Sequence, residues 1–82
     1  MTNSYKDLKY IVTFESSSSE EEEAIAAFAS WLDADEFLDR KVEEEKQYNN
    51  CFSVTREEGF ADCFLDPANP DQRDTYRIRK PL

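Results

Sequence analysis

Ser16-Ser17-Ser18-Ser19-Glu20-Glu21-Glu22-Glu23-Ala24-Ile25-Ala26-Ala27-Phe28-Ala29-Ser30-Trp31-Leu32 is the stretch whose reading decides the fold. Ala24, Ile25, Phe28, Trp31 and Leu32 fall on one face at helical spacing. Ser17, Ser18 and Ser19 each stand three residues ahead of a glutamate, the spacing of a capping box. Glutamates in a first turn also meet the positive end of the helix dipole. The stretch therefore predicts a helix over residues 20–32.

Upstream, Leu8, Tyr10, Val12 and Phe14 alternate with Lys9, Ile11, Thr13 and Glu15, which predicts a first strand over residues 8–15. Downstream, Asp33 followed by Glu36 reads as a fresh N-cap with its own capping box. A second helix then covers residues 34–46, with Ala34, Phe37, Leu38 and Val42 facing inward. Its rival is a strand over residues 42–48 turning at Asn49-Asn50; helix is favoured. Residues 51–56 and 60–65 form a hairpin whose turn, Glu58-Gly59, uses the chain's only glycine where a positive φ is wanted. In that register Val54 faces Cys63, and Phe52 faces Leu65. Pro67 to Asp71 is a rigid loop, and residues 75–79 make a last strand with Tyr76 and Ile78 on one face.

The expected class is α+β: a mostly antiparallel sheet of about four strands with one or two helices on one face, in the order β-α-(α)-β-β-β. Eighty-two residues allow a single domain, residues 1–82, with one modest core. Six Phe, four Tyr and one Trp supply much of its bulk. Phe28, Trp31, Leu32, Val12, Phe14, Phe52 and Val54 are its expected members.

No apolar run approaches the roughly 20 residues that span a bilayer, and no apolar stretch follows Met1 to Lys6 as in a signal peptide. A cytoplasmic location follows, with Cys51 and Cys63 as free thiols. There is no histidine, which removes the commonest general base and metal ligand. One glycine leaves no phosphate-cradling loop. Asp33, Asp35, Asp39 and Glu44 match four positions of a calcium loop, but Phe37 and Leu38 stand where a ligand and a glycine are needed. The serine run resembles acidophilic kinase sites, and helix capping explains the same residues. No enzyme activity, cofactor or metal is expected.

What remains is charge. The net value is −9, and residues 15–45 hold twelve carboxylates against Arg40 and Lys41, a local −10. Such a field repels DNA, RNA and membranes, and it attracts basic protein grooves. The carboxylates come at roughly one per 4 Å of helix, against one phosphate charge per ~1.7 Å of DNA axis. Glu20, Glu21, Glu22, Glu23, Asp33, Asp35, Glu36, Asp39, Glu43, Glu44 and Glu45 are the expected partner-binding residues. The expected partner is a basic protein, such as part of a nucleic-acid-binding complex.

In size, acidity and lack of catalytic residues the chain resembles the small phage-encoded inhibitors of bacterial defence, the anti-CRISPR and anti-restriction proteins. That resemblance implies an inhibitor that occupies its partner's nucleic-acid-binding surface, in a bacterial host. It is one of type, and no site is carried over from it. The alternatives are an adaptor or regulatory subunit that pairs through a sheet edge or aromatic surface, and an antitoxin-like binder.

Overall fold

The computed structural model describes residues 9–19 and 21–80. Leu8, at the head of the expected first strand, and Glu20, at the head of the expected helix, lie outside them. The described chain runs β1 (Tyr10–Ser16), β2 (Glu22–Phe28), α1 (Trp31–Tyr48), β3 (Ser53–Glu57), β4 (Phe60–Phe64) and β5 (Arg73–Arg79). The strands form one sheet in the order β2-β1-β5-β4-β3, every neighbouring pair antiparallel. The class is α+β as expected, with one helix, within the expected one or two, and five strands against about four.

The stretch that decides the fold forms a strand. The helix expected over residues 20–32 is replaced by β2, which pairs along β1 from Tyr10↔Phe28 to Glu15↔Glu22. Helix propensity is strong in this alanine- and glutamate-rich run, but it is a weak prior against tertiary context. Pairing satisfies a row of β1 backbone groups that would otherwise lie at a sheet edge. Ala26 and Phe28 are half-buried while Ala27 and Ala29 are exposed, a period of two. The register slips between Val12, opposite Ala26, and Thr13, opposite Ala24, leaving Ile25 as the extra residue of a β-bulge.

The serines therefore cap no helix. They turn the chain between β1 and β2: Ser19 N–H donates to the Ser16 carbonyl at 3.0 Å, and Glu21 N–H to Ser19 Oγ at 3.2 Å. The helix is instead capped by Ser30, an extended residue whose Oγ accepts from Asp33 N–H. Asp33 is thus a first-turn acid, favourably placed on the dipole, and is not the N-cap. The helix expected over residues 34–46 is present and longer at both ends, so residues 42–48 are not a strand. Asn50 follows it with a left-handed φ of 56°.

The hairpin has the expected two-residue turn and the pair Val54↔Cys63, with Gly59 at φ 77°. The last strand begins two residues earlier than expected, at Arg73.

Helix α1 covers one face of the sheet. Ala34, Leu38 and Val42, one turn apart, meet Val12, Ala61, Cys63 and Tyr76 in the core. Phe14, Phe28, Phe37, Val54 and Ile78 pack around this cluster, and Phe37 stacks obliquely on Phe28 at 5.3 Å. Three expected core members, Leu32, Phe52 and Trp31, fall outside. Leu32 is 62% exposed and Phe52 53% exposed. Leu32 was placed by the phase of a helix that does not form, and Phe52 precedes β3. Trp31 is half-buried, edge-on to Tyr10 at 5.7 Å. Both thiols are free, Cys63 buried and Cys51 partly so. Among the described residues no helix is long and apolar enough to cross a membrane.

Candidate acidic interface

Carboxylates close together in sequence meet quite different surroundings in the fold. Glu22 lies on the sheet face away from the helix. There it accepts a two-pronged hydrogen bond from Arg79, both contacts 2.9 Å, and another from the Thr13 hydroxyl. The Arg79 and Thr13 hydrogen bonds hold its carboxyl at about 2, well below the ordinary range. Glu21 and Glu23 flank it, exposed, at the start of the edge strand.

Asp35 and Asp39 are drawn together by Arg56 of β3. Its Nη2 lies 2.9 Å from Asp35 Oδ1, and its Nε lies 3.0 Å from Asp39 Oδ1. Asp35 Oδ1 also accepts the Gly59 N–H at 2.9 Å, so it ties the hairpin turn to the first turns of α1. Burial acts to lower the Arg56 pKa, but the hydrogen bonds it donates to Asp35 and Asp39 outweigh it and the net shift is upward. Asp35 is thereby structural, whereas Asp39 pairs with Arg56 while its side chain stays 67% exposed. Together with Asp33 and Glu44 they sit along one helix, where no loop exists to wrap a calcium ion.

Glu45 departs furthest from expectation. Only 3% exposed, it accepts from the Tyr76 hydroxyl at 2.6 Å and from Asn49 Nδ2 at 3.0 Å. It follows Ala34, Leu38 and Val42 on the inward stripe, and its position in a Glu-Glu-Glu run gave no signal of that. Glu45 thus belongs to the interior and not to the acidic surface.

The rest project outward. Asp33, Glu36, Asp39, Glu43 and Glu44 are all exposed on α1, within about 16 Å of helix length. Lys41 pairs with Glu44 at 3.1 Å and Lys46 with Glu43 at 3.5 Å. Such solvent-exposed pairs are worth only a few tenths of a kcal/mol and can exchange for a partner's cations. Among the described residues no basic side chain pairs with Asp33 or Glu36. Glu21 and Glu23 belong to a different element, so the window divides into a helical strip and a strand start.

The sheet face away from the helix carries the arginines of the last strand, opposite Tyr76 and Ile78. Arg73, Arg77 and Arg79 line one side of β5, where Arg77 meets Glu15 at 3.0 Å and Arg73 lies 3.9 Å from Asp62. Arg77 also lies over Phe60 at 5.6 Å, and Arg73 over Phe64 at 5.9 Å. Arg73, Arg77 and Arg79 thus each face a carboxylate of the same sheet face. Comparison with known proteins finds no matching family model, no matching curated protein and no matching solved structure.

Proposed function

We propose that this chain is a non-catalytic acidic binding protein, whose outward helix face docks on a basic, nucleic-acid-binding surface of a partner and blocks it. The observation that carries this reading is the strip Asp33, Glu36, Asp39, Glu43 and Glu44 on a helix whose other side is fixed to a sheet. A rigid helix presents these charges without a large ordering cost on binding. The arginines of β5, by contrast, are answered by carboxylates of the same sheet face. In a bacterial host such a protein would act as an inhibitor of the anti-CRISPR or anti-restriction type.

The test is competition. Once a partner is captured from a host lysate and identified by mass spectrometry, its own DNA or RNA should displace this protein. Binding should also weaken steeply between 50 mM and 500 mM salt, as exposed charges are screened. Ternary complexes, or affinity indifferent to salt, would remove the inhibitor reading.

A second reading has one observation of its own. β2 is an edge strand, and Ala24 to Phe28 contain no charge to blunt it. An adaptor pairing there, by strand addition, would bind independently of salt and lose its partner on Ala27→Lys.

A further inference from the structure

Between the C-terminal half of α1 and strands β2, β1 and β5 lies a cavity of about 310 Å³, at the lower end of the range for small-ligand sites. The rings of Phe14, Phe37 and Tyr76 and the side chain of Ile25 form its walls. Phe14 and Tyr76 are cross-strand partners with centroids 5.1 Å apart. Ile25 reaches the cavity because the bulge in β2 adds a residue there, a device that re-aims side chains.

Two carboxyls, Glu45 and Asp74, complete the lining. Buried carboxyls normally meet a cation or several donors. Glu45 has the Tyr76 hydroxyl and Asn49 but no cation. Asp74 is 9% exposed, no described residue forms an ion pair with it, and its side-chain hydrogen-bond partner is the Glu45 carboxyl. Its cross-strand neighbours are Ser16 and Cys63, and the nearest acid is Glu45. Burial, then the hydrogen bond and charge of Glu45, push the Asp74 carboxyl up to about 7. A guest's positive charge placed between the two carboxyls would offset their mutual repulsion. The one basic group on the lining, Lys41, is paired with Glu44 at 3.1 Å and lies 5.7 Å from the Phe37 centroid.

We propose that this cavity is a receptor for an alkylammonium group, with Asp74 and Glu45 accepting its N–H bonds and Phe14, Phe37, Tyr76 and Ile25 holding its methylene stem. An ammonium over aromatic rings gains from their negative faces. The negative end of the α1 dipole, in whose last turn Glu45 lies, adds to the attraction. The site is concave and distinct from the outward strip of α1, and it stands whether or not that strip binds a partner. The occupant is either a lysine side chain of another protein or a free amine.

The experiment is a titration of the isotope-labelled full chain, followed by NMR at pH 7.5, with n-butylammonium and with neutral 1-butanol. We expect saturable shifts centred on Phe14, Ile25, Asp74 and Tyr76 for the ammonium only. Asp74→Asn, nearly isosteric, should weaken binding at least tenfold. Lys41→Gln, on the helix surface, should tighten it severalfold by removing the rim charge. Nα-acetyl-lysine methylamide binding as well as butylammonium identifies a protein lysine as the occupant, and preference for a free diamine identifies a metabolite. Equal shifts with butanol, no saturation, or indifference to both substitutions overturns the proposal. Should Asp74→Asn fail to fold, indifference to Lys41→Gln does so alone.

Discussion

The indole of Trp31 lies so close over Gly59 that a methyl group at that glycine would sit 2.6 Å from Cη2 of the ring. The first residue of α1 and the turn of the β3–β4 hairpin are thereby locked together, with Asp35 and Arg56 as a polar second clasp. Gly59→Ala meets both this ring and the left-handed backbone at φ 77°, a conformation that alone costs a residue with Cβ about 1–2 kcal/mol. A total loss of about 2–4 kcal/mol is expected by urea unfolding. In a Trp31→Phe background the alanine should cost only the backbone part, and the double-mutant cycle measures the difference. Trp31→Ala, at a half-buried site, should cost about 2–3 kcal/mol, less than the 3–5 of a fully buried aromatic. A Gly59→Ala protein melting within a degree or two of the parent would refute the contact.

Stability should depend on pH in two opposed ways. Asp74 binds its proton more tightly folded than unfolded, so between about 4 and 7 folding takes up a proton and stability falls as pH rises. Glu22 works the other way. Its low folded pKa contributes stability above about 4.5, and this is lost as pH falls toward 2. Asp74→Asn should flatten the upper limb and leave the lower one. At pH 8 it should stabilise by something on the order of 2–4 kcal/mol, since one pKa unit is ~1.4 kcal/mol. Chemical denaturation at pH 3, 5, 6.5 and 8 checks both limbs, and a parent equally stable at pH 5 and 8 would contradict the first.

The two thiols should separate cleanly. Cys51 is partly accessible and donates to the Ser53 carbonyl, whereas Cys63 is fully buried. Burial first, and the neighbouring Cys51 next, push the Cys63 thiol well above its ordinary range, which suppresses the reactive thiolate. A disulfide-exchange reagent should modify one thiol per chain in native buffer and a second only after urea. Alkylation in urea without reductant should add two adducts. No adduct until reductant is supplied would mean that the cysteines are bridged.

Charge reversal separates the helix strip from the rest of the acid. Glu36→Lys, Glu43→Lys and Glu44→Lys together should weaken binding to a basic partner by at least tenfold. Glu57→Lys with Glu58→Lys, exposed at the hairpin turn, should change it less than threefold. Both sets should unfold within about 1 kcal/mol of the parent, because exposed ion pairs contribute little. Glu45 must stay out of the set, since reversing a buried carboxyl would destroy the fold it was meant to test. Calorimetric titration against the purified partner, with urea unfolding of each variant, reads both quantities.

The elements legible in the sequence were those whose signals are local. Gly59 marks a turn that needs a positive φ, and Ala34, Leu38 and Val42 mark a stripe one turn apart. β2 was illegible because Ala24, Ile25, Phe28 and Trp31 fit helical spacing, and the rival period of two rests on alanines too small to register. The true start of the helix was written as Ser30 three ahead of Asp33, the same capping pattern as in the serine run but one element later. Within the acidic set, Asp35 and Asp39 could not be told from free carboxylates, because Arg56 lies 21 and 17 residues away and meets them only across the fold.

The sheet order places β5, last of the five strands in the chain, at the centre between β1 and β4. A ribosome therefore releases β1–β2 and β3–β4 as two separate hairpins, and an isolated hairpin is at best marginally stable in water. Neither can join the other until Arg73 to Arg79 emerges and zips to both. Contacts such as Ile11↔Arg79 close the longest loop among the described strand pairs, so the slow step of folding waits for β5. Nascent chains halted before Arg73 should be fully open to protease, and those extended past Arg79 resistant, with no graded series between them.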